Sequence, residues 1–200
     1  MKLYVTMTSP YARMARVVLI EKRLEGRVDV VPATTRTPGS PYYSINPSGR
    51  VPFLVMDNGA GFEGSQLICQ LLDQVDGTPQ FATPTGTAAL EFRRLEEKAR
   101  SLMDGLSVWL RETKRPAEDQ SAMIIEHERR RAARLADYWE AEIAHPMMNG
   151  AFNMPQLTLA CALLLDHWSE GRQWRESRPK LSEWADRQAE RPSMAKTSPG

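Results

Sequence analysis

The first 76 residues combine two hydrophobic periodicities. Residues 2–6, KLYVT, place β-forming residues at alternate positions, and residues 10–24 then carry apolar residues at helical spacing. Residues 27–33, RVDVVPA, predict a second strand. Because strands separated by a helix of this length are normally parallel, we expect a right-handed βαβ unit.

A loop and a hairpin follow this unit. Residues 34–49 are rich in Pro, Ser, Gly and Thr, and VPFLVMDNGAGFEG (51–64) predicts two short strands around an Asp57-Asn58-Gly59 turn. The stretch GSQLICQLLDQV (64–75) then predicts a helix. Residues 1–76 are therefore expected to form a small mixed α/β domain with the order βαβ, loop, ββα.

The remainder of the chain shows no strand pattern. Residues 77–86 are rich in turn-forming residues and predict a linker, so that residues 87–200 form an all-helical domain. Four helices are predicted there, over residues 87–114, 120–144, 154–168 and 180–190. The third of them, 154–168, is apolar on nearly all sides, which is typical of the buried centre of a helical domain.

Charge and composition narrow the possible partners. The chain has 26 Lys and Arg residues against 25 Asp and Glu residues, a net charge of +1, so no nucleic acid or membrane partner is expected. No apolar run approaches the roughly 20 residues of a membrane span, and we expect a cytoplasmic protein. Cys69 and Cys161 lie in apolar helical patterns typical of reduced, buried thiols. The three histidines form no cluster at ligand spacing, so no metal is expected.

Five stretches of the chain form recognisable motifs: SPYARMARVVLIEK (9–22), NPSGRVPFLV (46–55), FEGSQLICQLLD (62–73), FNMPQLTLACALLLDHW (152–168) and RPKLSEWADRQAERPSMAKT (178–197). In this order they resemble the cytosolic glutathione S-transferase family, in its bacterial, serine-type-like branch. The resemblance implies a thioredoxin-like N-terminal domain and an all-α C-terminal domain. It also implies a transferase for which glutathione is the co-substrate and an electrophilic, hydrophobic compound is the second substrate, a role in detoxification, and a homodimer.

Ser9 is the residue that the resemblance places in catalysis. A hydroxyl at the N-terminal end of the first helix can donate a hydrogen bond to a thiolate, and the helix dipole favours the same anion. A free cysteine thiol has a pKa of about 8.5, so a lower pKa increases the nucleophilic fraction at neutral pH. Ser9 followed by Pro10 is equally the pattern of an ordinary N-cap. Thr6, Thr8 and Tyr4 are the alternative thiolate contacts.

The glutathione-binding residues are expected in two loops. In the family, the bond before the proline corresponding to Pro52 is cis, and the main chain of the preceding residue, here Val51, pairs with the cysteinyl part of glutathione. Ser65 is expected to cap the following helix, whose positive end receives the γ-glutamyl carboxylate. Arg50 and Arg13 are each either solvated charges or groups that hold the carboxylates or the loop.

One position departs from the family pattern. An acid usually precedes the serine and supports the α-amino group of the ligand, whereas this chain has Gly64 there and Glu63 one position earlier. Either Glu63 or Gln66 can take the place of that acid. The departure favours the alternative of a non-catalytic binding or regulatory protein on the same fold. A glutathione-dependent isomerase, dehalogenase or reductase is a further alternative.

The remaining expectations concern the second domain. The hydrophobic substrate is expected between the first loop and the first long helix of this domain, although a stripe of such residues is also typical of plain core. Asn153 and Gln156 have the spacing of a capping box where the family usually has Ser or Thr and Asp. The residues proposed for the hydrophobic site are Met7, Tyr11, Met103, Leu106 and Trp109.

Overall fold

The computed structural model describes residues 1–165 and 174–199. Its Cα packing divides the chain into two compact units, Met1–Ala82 together with Arg191–Gly200, and Thr83–Glu190. No helix of the described residues is long and apolar enough to cross a membrane. Residues 166–168, the end of the predicted third helix, lie outside the described residues.

The elements of the first unit are β1 (Lys2–Val5), α1 (Pro10–Glu21), β2 (Asp29–Pro32), β3 (Phe53–Val55), β4 (Gly61–Glu63) and α2 (Ser65–Gln74). Its four strands form one sheet in the order β2, β1, β3, β4. Strand β1 is parallel to β2 and antiparallel to β3, and β3 is antiparallel to β4, so the predicted βαβ unit and hairpin are confirmed. The alternation predicted for β1 appears as full burial of Leu3 and Val5, and Leu3 lies opposite Val30 and Leu54.

The loop between β2 and β3 contains a short 3-10 helix that the sequence analysis did not predict, Pro41–Ser44. Ser40 caps it: its hydroxyl accepts a hydrogen bond from the Tyr42 N–H at 3.3 Å and donates to the Thr34 carbonyl at 2.6 Å. Tyr42 is buried with 4% exposure. This helix therefore directs the side chain of Tyr42 into the interior of the first unit.

The described part of the second unit contains helices and connecting loops and no strand, as predicted. Its helices are α3 (Thr87–Thr113), α4 (Ala122–Glu142), α5 (Pro146–Asn149), α6 (Met154–Leu163) and α7 (Pro179–Ala189). All ten residues of α6 are buried, which confirms that this apolar helix forms the centre. Two consecutive arginines on α4, Arg129 and Arg130, pair with Glu126 of the same helix and form an exposed, charge-paired face.

The start of α6 differs in detail from the predicted capping box. Asn153 is the N-cap, and its side-chain oxygen accepts from the Gln156 N–H at 3.0 Å. The Gln156 amide donates to two carbonyls that precede α6, that of Met147 in α5 at 2.9 Å and that of Ala151 in the loop at 3.0 Å. The second half of the pair thus holds the segment before the helix, a task that an amide donor performs and an aspartate does not.

Two segments that were expected outside the first domain pack in the first unit: the C-terminal segment and the start of the predicted linker. Residues 191–200 were expected in the helical domain, but α8 (Pro192–Lys196) packs on α1 of the first unit, and its Met194 is fully buried. Residues at the start of the predicted linker are held as well, since the Asp73 carboxylate accepts from the N–H groups of Gln80 and Phe81 at 2.8 and 2.9 Å. The boundaries at 76 and 87 stay predictions.

Candidate functional site

The N-terminal end of α1 carries the serine that the sequence singled out. Ser9 is the N-cap, Pro10 is the first helical residue, and the Ser9 Oγ accepts a hydrogen bond from the Ala12 N–H at 3.2 Å. A hydroxyl has one proton to donate as well as lone pairs that accept, so capping the helix leaves the Ser9 proton to donate to a ligand. Ser9 as a residue is half-buried. The capping role and the thiolate-binding role are therefore compatible.

The alternative thiolate contacts lie in the same short stretch. Tyr4 belongs to β1 and packs its ring 5.7 Å from the ring of Tyr42, within the sheet region. Thr6 is half-buried, and its carbonyl accepts from the Ser9 N–H at 3.2 Å, whereas Thr8 is exposed. The choice of Ser9 over these residues stays a prediction.

The loop before β3 is held by hydrogen bonds to a single carbonyl. The Tyr42 hydroxyl donates to the Arg50 carbonyl at 2.5 Å, and the Asn46 side-chain amide donates to the same oxygen at 3.0 Å. The peptide bond between Val51 and Pro52 is cis, as the resemblance implied. Val51 is half-buried and Pro52 is buried. The backbone beside Val51 is thus held in place by side chains from its own loop.

A turn within this loop requires glycine. Gly49 has a φ of +67°, a left-handed conformation, and a Cβ atom added there would lie 2.7 Å from the Cε1 atom of Tyr43. Both the conformation and the close contact disfavour any other residue. The NPSG stretch therefore shapes the approach to Val51 through its asparagine and its glycine.

Glu63 connects the end of β4 to the same loop. Its Oε2 atom accepts from the Asn46 amide at 3.2 Å and from the Ser48 hydroxyl. The Ser48 hydroxyl in turn accepts from the Arg50 N–H at 3.1 Å. Burial raises the pKa of the Tyr42 hydroxyl, and the negative charge of Glu63 adds to the rise. Tyr42 therefore stays protonated and donates to the Arg50 carbonyl.

Three members of this network were not predicted from the sequence: Tyr42, Asn46 and Ser48. Asn46 and Ser48 stand inside the quoted NPSGRVPFLV motif, so the motif carried a signal, but the side-chain partner, Glu63, lies at least 15 residues away in the chain. Tyr42 carried no comparable signal, because its burial depends on the unpredicted 3-10 helix.

The N-terminal end of α2 is arranged differently from the prediction. Gly64, with a φ of +98°, is the N-cap, and Ser65 is the first helical residue, so the prediction that Ser65 is the N-cap is wrong. No side chain caps this end, and the first N–H bonded to the turn is that of Ile68, which donates to the Gly64 carbonyl at 2.9 Å. The N–H groups before it have no partner within the helix, which is the arrangement that receives an anion.

The two arginines left open by the sequence behave differently. Arg13 is 3% exposed and donates to the Met194 carbonyl at 2.9 Å and the Thr197 hydroxyl at 3.4 Å. It is therefore a buried structural contact of α1 and not a solvated charge. Arg50 is exposed, and it is its main chain that the surrounding side chains hold.

The residues expected around the hydrophobic substrate lie in both units. In the first unit, Met7 is 45% exposed and Tyr11 is half-buried. In the second unit, all three residues lie on α3; Met103 and Leu106 are 1% exposed, as core residues are, and Trp109 is half-buried. Burial fits the plain-core alternative for Met103 and Leu106, and the substrate site stays a prediction.

One carboxylate and histidine cluster appears only in three dimensions. Ligand-type atoms of Glu91, Glu142 and His145 lie within 4.8 Å of one another. The Arg94 guanidinium donates to Glu91 at 2.6 Å and to Glu142 at 2.5 Å, and it lowers the pKa of Glu91. An arginine between the carboxylates makes this a surface ion network, and the expectation of no metal stays a prediction.

The sequence of this chain is similar to a known domain family and to a curated protein. Residues 3–80 match the family model "Glutathione S-transferase, N-terminal domain". A curated relative, the uncharacterized GST-like protein YibF of Escherichia coli (strain K12), is 26% identical over 201 residues, which cover 100% of this chain and 98% of the relative.

Two solved structures are similar in fold to this chain over its whole length. A glutathione S-transferase from Methylobacillus flagellatus KT with glutathione bound has a TM-score of 0.88 at 27% identity, covering 100% of this chain and 99% of that one. A glutathione transferase family member from Pseudomonas fluorescens Pf-5, with bound S-(propanoic acid)-glutathione, has a TM-score of 0.85 at 28% identity and covers 100% of both chains. Together with the strand order and helices described above, these matches show that residues 3–80 form a glutathione S-transferase N-terminal domain and that the chain has the fold of solved glutathione S-transferases.

Proposed function

We propose that the protein is a glutathione S-transferase that activates the thiol of bound glutathione with Ser9. The observation that carries the proposal is the Ser9 hydroxyl, which caps α1 through its oxygen and keeps its proton for a ligand. A thiolate that accepts this proton lies at the positive end of the α1 dipole. Both interactions favour the thiolate over the thiol, so the pKa of the bound thiol falls.

Glutathione itself is proposed to bind along the loops of the first unit. The main chain of Val51 pairs with the cysteinyl part, and the N-terminal end of α2 with Ser65 receives the γ-glutamyl carboxylate. Glu63 takes the part of the missing acid: its Oε2 atom is used by Asn46 and Ser48, and an exposed carboxylate has a second oxygen to accept from the α-ammonium group. The guanidinium of exposed Arg50 contributes positive charge beside Val51.

The proposed reaction is the formation of a thioether. The glutathione sulfur donates its electron pair to an electrophilic carbon, the bond from that carbon to its leaving group breaks, and the thiol proton passes to solvent. A glutathione carrying an S-substituent is the ligand of the Pseudomonas fluorescens relative, which supports this class of product. Met7, Tyr11, Met103, Leu106 and Trp109 are proposed for the hydrophobic substrate.

The wider role follows from the family. We propose a homodimer that works in the cytoplasm, without a resident metal, in the detoxification of electrophiles. The presence of Ser9 where a thiol-disulfide branch of the family has cysteine favours transfer over reduction. Gly64 favours the alternative of a non-catalytic binding protein, and glutathione affinity separates these two candidates.

Isothermal titration with reduced glutathione tests the binding step. We expect wild type to bind in the micromolar to low millimolar range and Ser65→Ala to bind more weakly, because a hydroxyl at the anion site is lost. Ser44→Ala, a change of an exposed serine in the same unit, serves as the control and should bind as wild type does. Wild type that shows no binding rejects the transferase and leaves the binding protein as the function.

A second titration tests the role of Ser9. The ultraviolet absorbance of the thiolate gives the pKa of bound glutathione, which we expect Ser9→Ala to raise by about one unit or more. Ser9→Ala also removes a helix cap, so Ser121→Ala, which removes the N-cap of α4 in the other unit, is the matched control. If both variants leave the thiol pKa unchanged, another group activates the sulfur, and Thr6, Thr8 and Tyr4 are then tested in turn.

A further inference from the structure

The segment 191–199 holds α1 at a point one turn from Ser9. The Arg13 guanidinium donates to the Met194 carbonyl at 2.9 Å and to the Thr197 hydroxyl at 3.4 Å. The backbone of Arg13 closes the cap turn at the same time, since its N–H donates to the Ser9 carbonyl at 2.9 Å. One residue therefore connects the turn that carries the Ser9 hydroxyl to the segment 191–199.

These contacts are built into the interior of the first unit. Arg13 is 3% exposed, Thr197 is 1% exposed and Met194 is fully buried. The Thr197 hydroxyl donates to the Ser193 carbonyl at 2.8 Å, so its position is fixed within the segment. Buried polar groups exchange partners at a high cost, which makes the Arg13 contact well defined in direction and length.

The same segment holds α1 at a second point near its other end. Glu21 accepts from the Ser193 hydroxyl at 2.5 Å and from the Arg191 guanidinium at 3.4 Å. Arg13 and Glu21 are eight positions apart, which is about 12 Å along a helix axis. Between them, Arg16 donates to the Thr197 carbonyl at 3.5 Å. Of these contacts with the segment, only the one at Arg13 is next to the cap turn.

We propose that Arg13 is a positioning residue for Ser9, and that segment 191–199 takes part in thiol activation through it. The inference rests on the proposed function, because the thiol concerned is that of bound glutathione. Displacement of a catalytic group by about 1 Å can cost a hundredfold in rate, so a small tilt of the first turn of α1 weakens the hydrogen bond to the thiolate. Arg13 acts through Ser9 and does not need to touch the ligand.

The test compares loss of the contact between Arg13 and segment 191–199 with loss of the contact between Glu21 and the same segment. Arg13→Met removes the near contact, Thr197→Val removes one of its acceptors with a smaller change, and Glu21→Gln weakens the far contact. Two quantities are measured in each variant: the pKa of the thiol of bound glutathione, and amide hydrogen exchange at residues 12 and 13, which needs no ligand. Urea unfolding gives the free energy of unfolding of each variant, so that effects on the thiol pKa can be compared between variants of known stability.

We expect Arg13→Met to raise the thiol pKa by about one unit, which lowers the thiolate fraction at neutral pH up to tenfold. Thr197→Val should raise it less, and Glu21→Gln should leave it unchanged even where it lowers the urea midpoint equally. Exchange at residues 12 and 13 should quicken in the first two variants only.

Three outcomes would overturn the inference. The thiol pKa could be the same in all variants, it could rise equally in Glu21→Gln, or exchange at residues 12 and 13 could be unaffected by Arg13→Met. Wild type that binds no glutathione rejects the proposed function as well, and the exchange result then shows separately whether Arg13 holds the cap turn.

Discussion

Replacement of Gln156 by glutamate tests the start of α6 more sharply than removal of its side chain. Gln156 is 3% exposed, and its Nε2 atom donates to the carbonyls of Met147 at 2.9 Å, Ala151 at 3.0 Å and, at a longer 3.4 Å, Gly150. Glutamate has the same shape but offers only acceptors when ionised. Gln156→Glu therefore places a buried anion against a set of carbonyl oxygens.

The size of the effect follows from two limits. Loss of the two shorter hydrogen bonds costs about 2 kcal/mol, at about 1 kcal/mol each. The carbonyls of Met147 and Ala151 keep the Asn153 amide as a donor at 2.7 and 3.2 Å, so neither is orphaned. The glutamate can also take up a proton, which costs about 3.7 kcal/mol at pH 7 for an unfolded pKa of about 4.3. We expect a loss of about 2 to 4 kcal/mol at pH 7.

The pH dependence identifies the cause. Burial among acceptors raises the folded-state pKa of the new carboxyl above its unfolded value, so the penalty of the charge is present at neutral pH and disappears as the pH falls towards about 4.3. Gln156→Met removes the donors without adding charge, and its loss should not vary with pH. Urea unfolding is followed by circular dichroism and by tryptophan fluorescence, since the Trp184 indole N–H donates to the nearby Met148 carbonyl at 2.7 Å. A Gln156→Glu variant as stable as wild type at pH 7 would refute the donor assignment.

Three further predictions concern the first unit. Lys22→Met should lower its stability by about 3 kcal/mol in urea unfolding, because the fully buried ammonium pairs with buried Asp73 at 3.5 Å and donates to the Thr78 carbonyl at 2.5 Å. The hydrogen bond from Lys22 lowers the pKa of Asp76 from 3.8 to about 2, so its contribution to stability is present above 3.8 and is lost as the pH falls towards 2; acid unfolding of Asp76→Asn should show a smaller loss across this range. Gly64→Glu should cost more than about 1 kcal/mol without tightening glutathione binding, because φ is +98° there, and Gly64→Ala should show the same cost of strain.

The order of the strands and of the longer helices was predictable from local sequence patterns. The strand alternation of β1, the Asp57-Asn58-Gly59 turn and the apolar surface of α6 each act through neighbours in sequence, so each leaves a local pattern. Short elements left none: the four-residue α5 and the five-residue α8 are too short to show a helical period. Segment 191–199 was therefore assigned by its neighbours in sequence, whereas burial of Met194 on α1 groups it with the first unit.

The candidate site was predictable where a motif contains its own partners. Ser9 and Pro10 form a cap that depends on four consecutive residues, and the structure shows that cap. The Glu63 carboxylate and the Asn46 amide meet across 17 positions, and Arg13 meets Met194 across 181, so no local pattern could show either contact. The sequence marked Arg13 as polar and near Ser9, but the direction of its side chain depended on a segment at the other end of the chain.

The glycine before Ser65 also has a structural meaning that the motif comparison did not supply. In this backbone Gly64 takes a φ of +98°, which glycine adopts readily and glutamate does not. The carboxylate of Glu63, one position earlier, accepts hydrogen bonds from Asn46 and Ser48. The positive φ thus gives a conformational reason for the glycine in this chain. The loss of the acid before Ser65 still favours the non-catalytic binding protein, so the conformational reason for Gly64 does not replace a measurement. The titration of wild type and Ser65→Ala with glutathione decides between the two candidates.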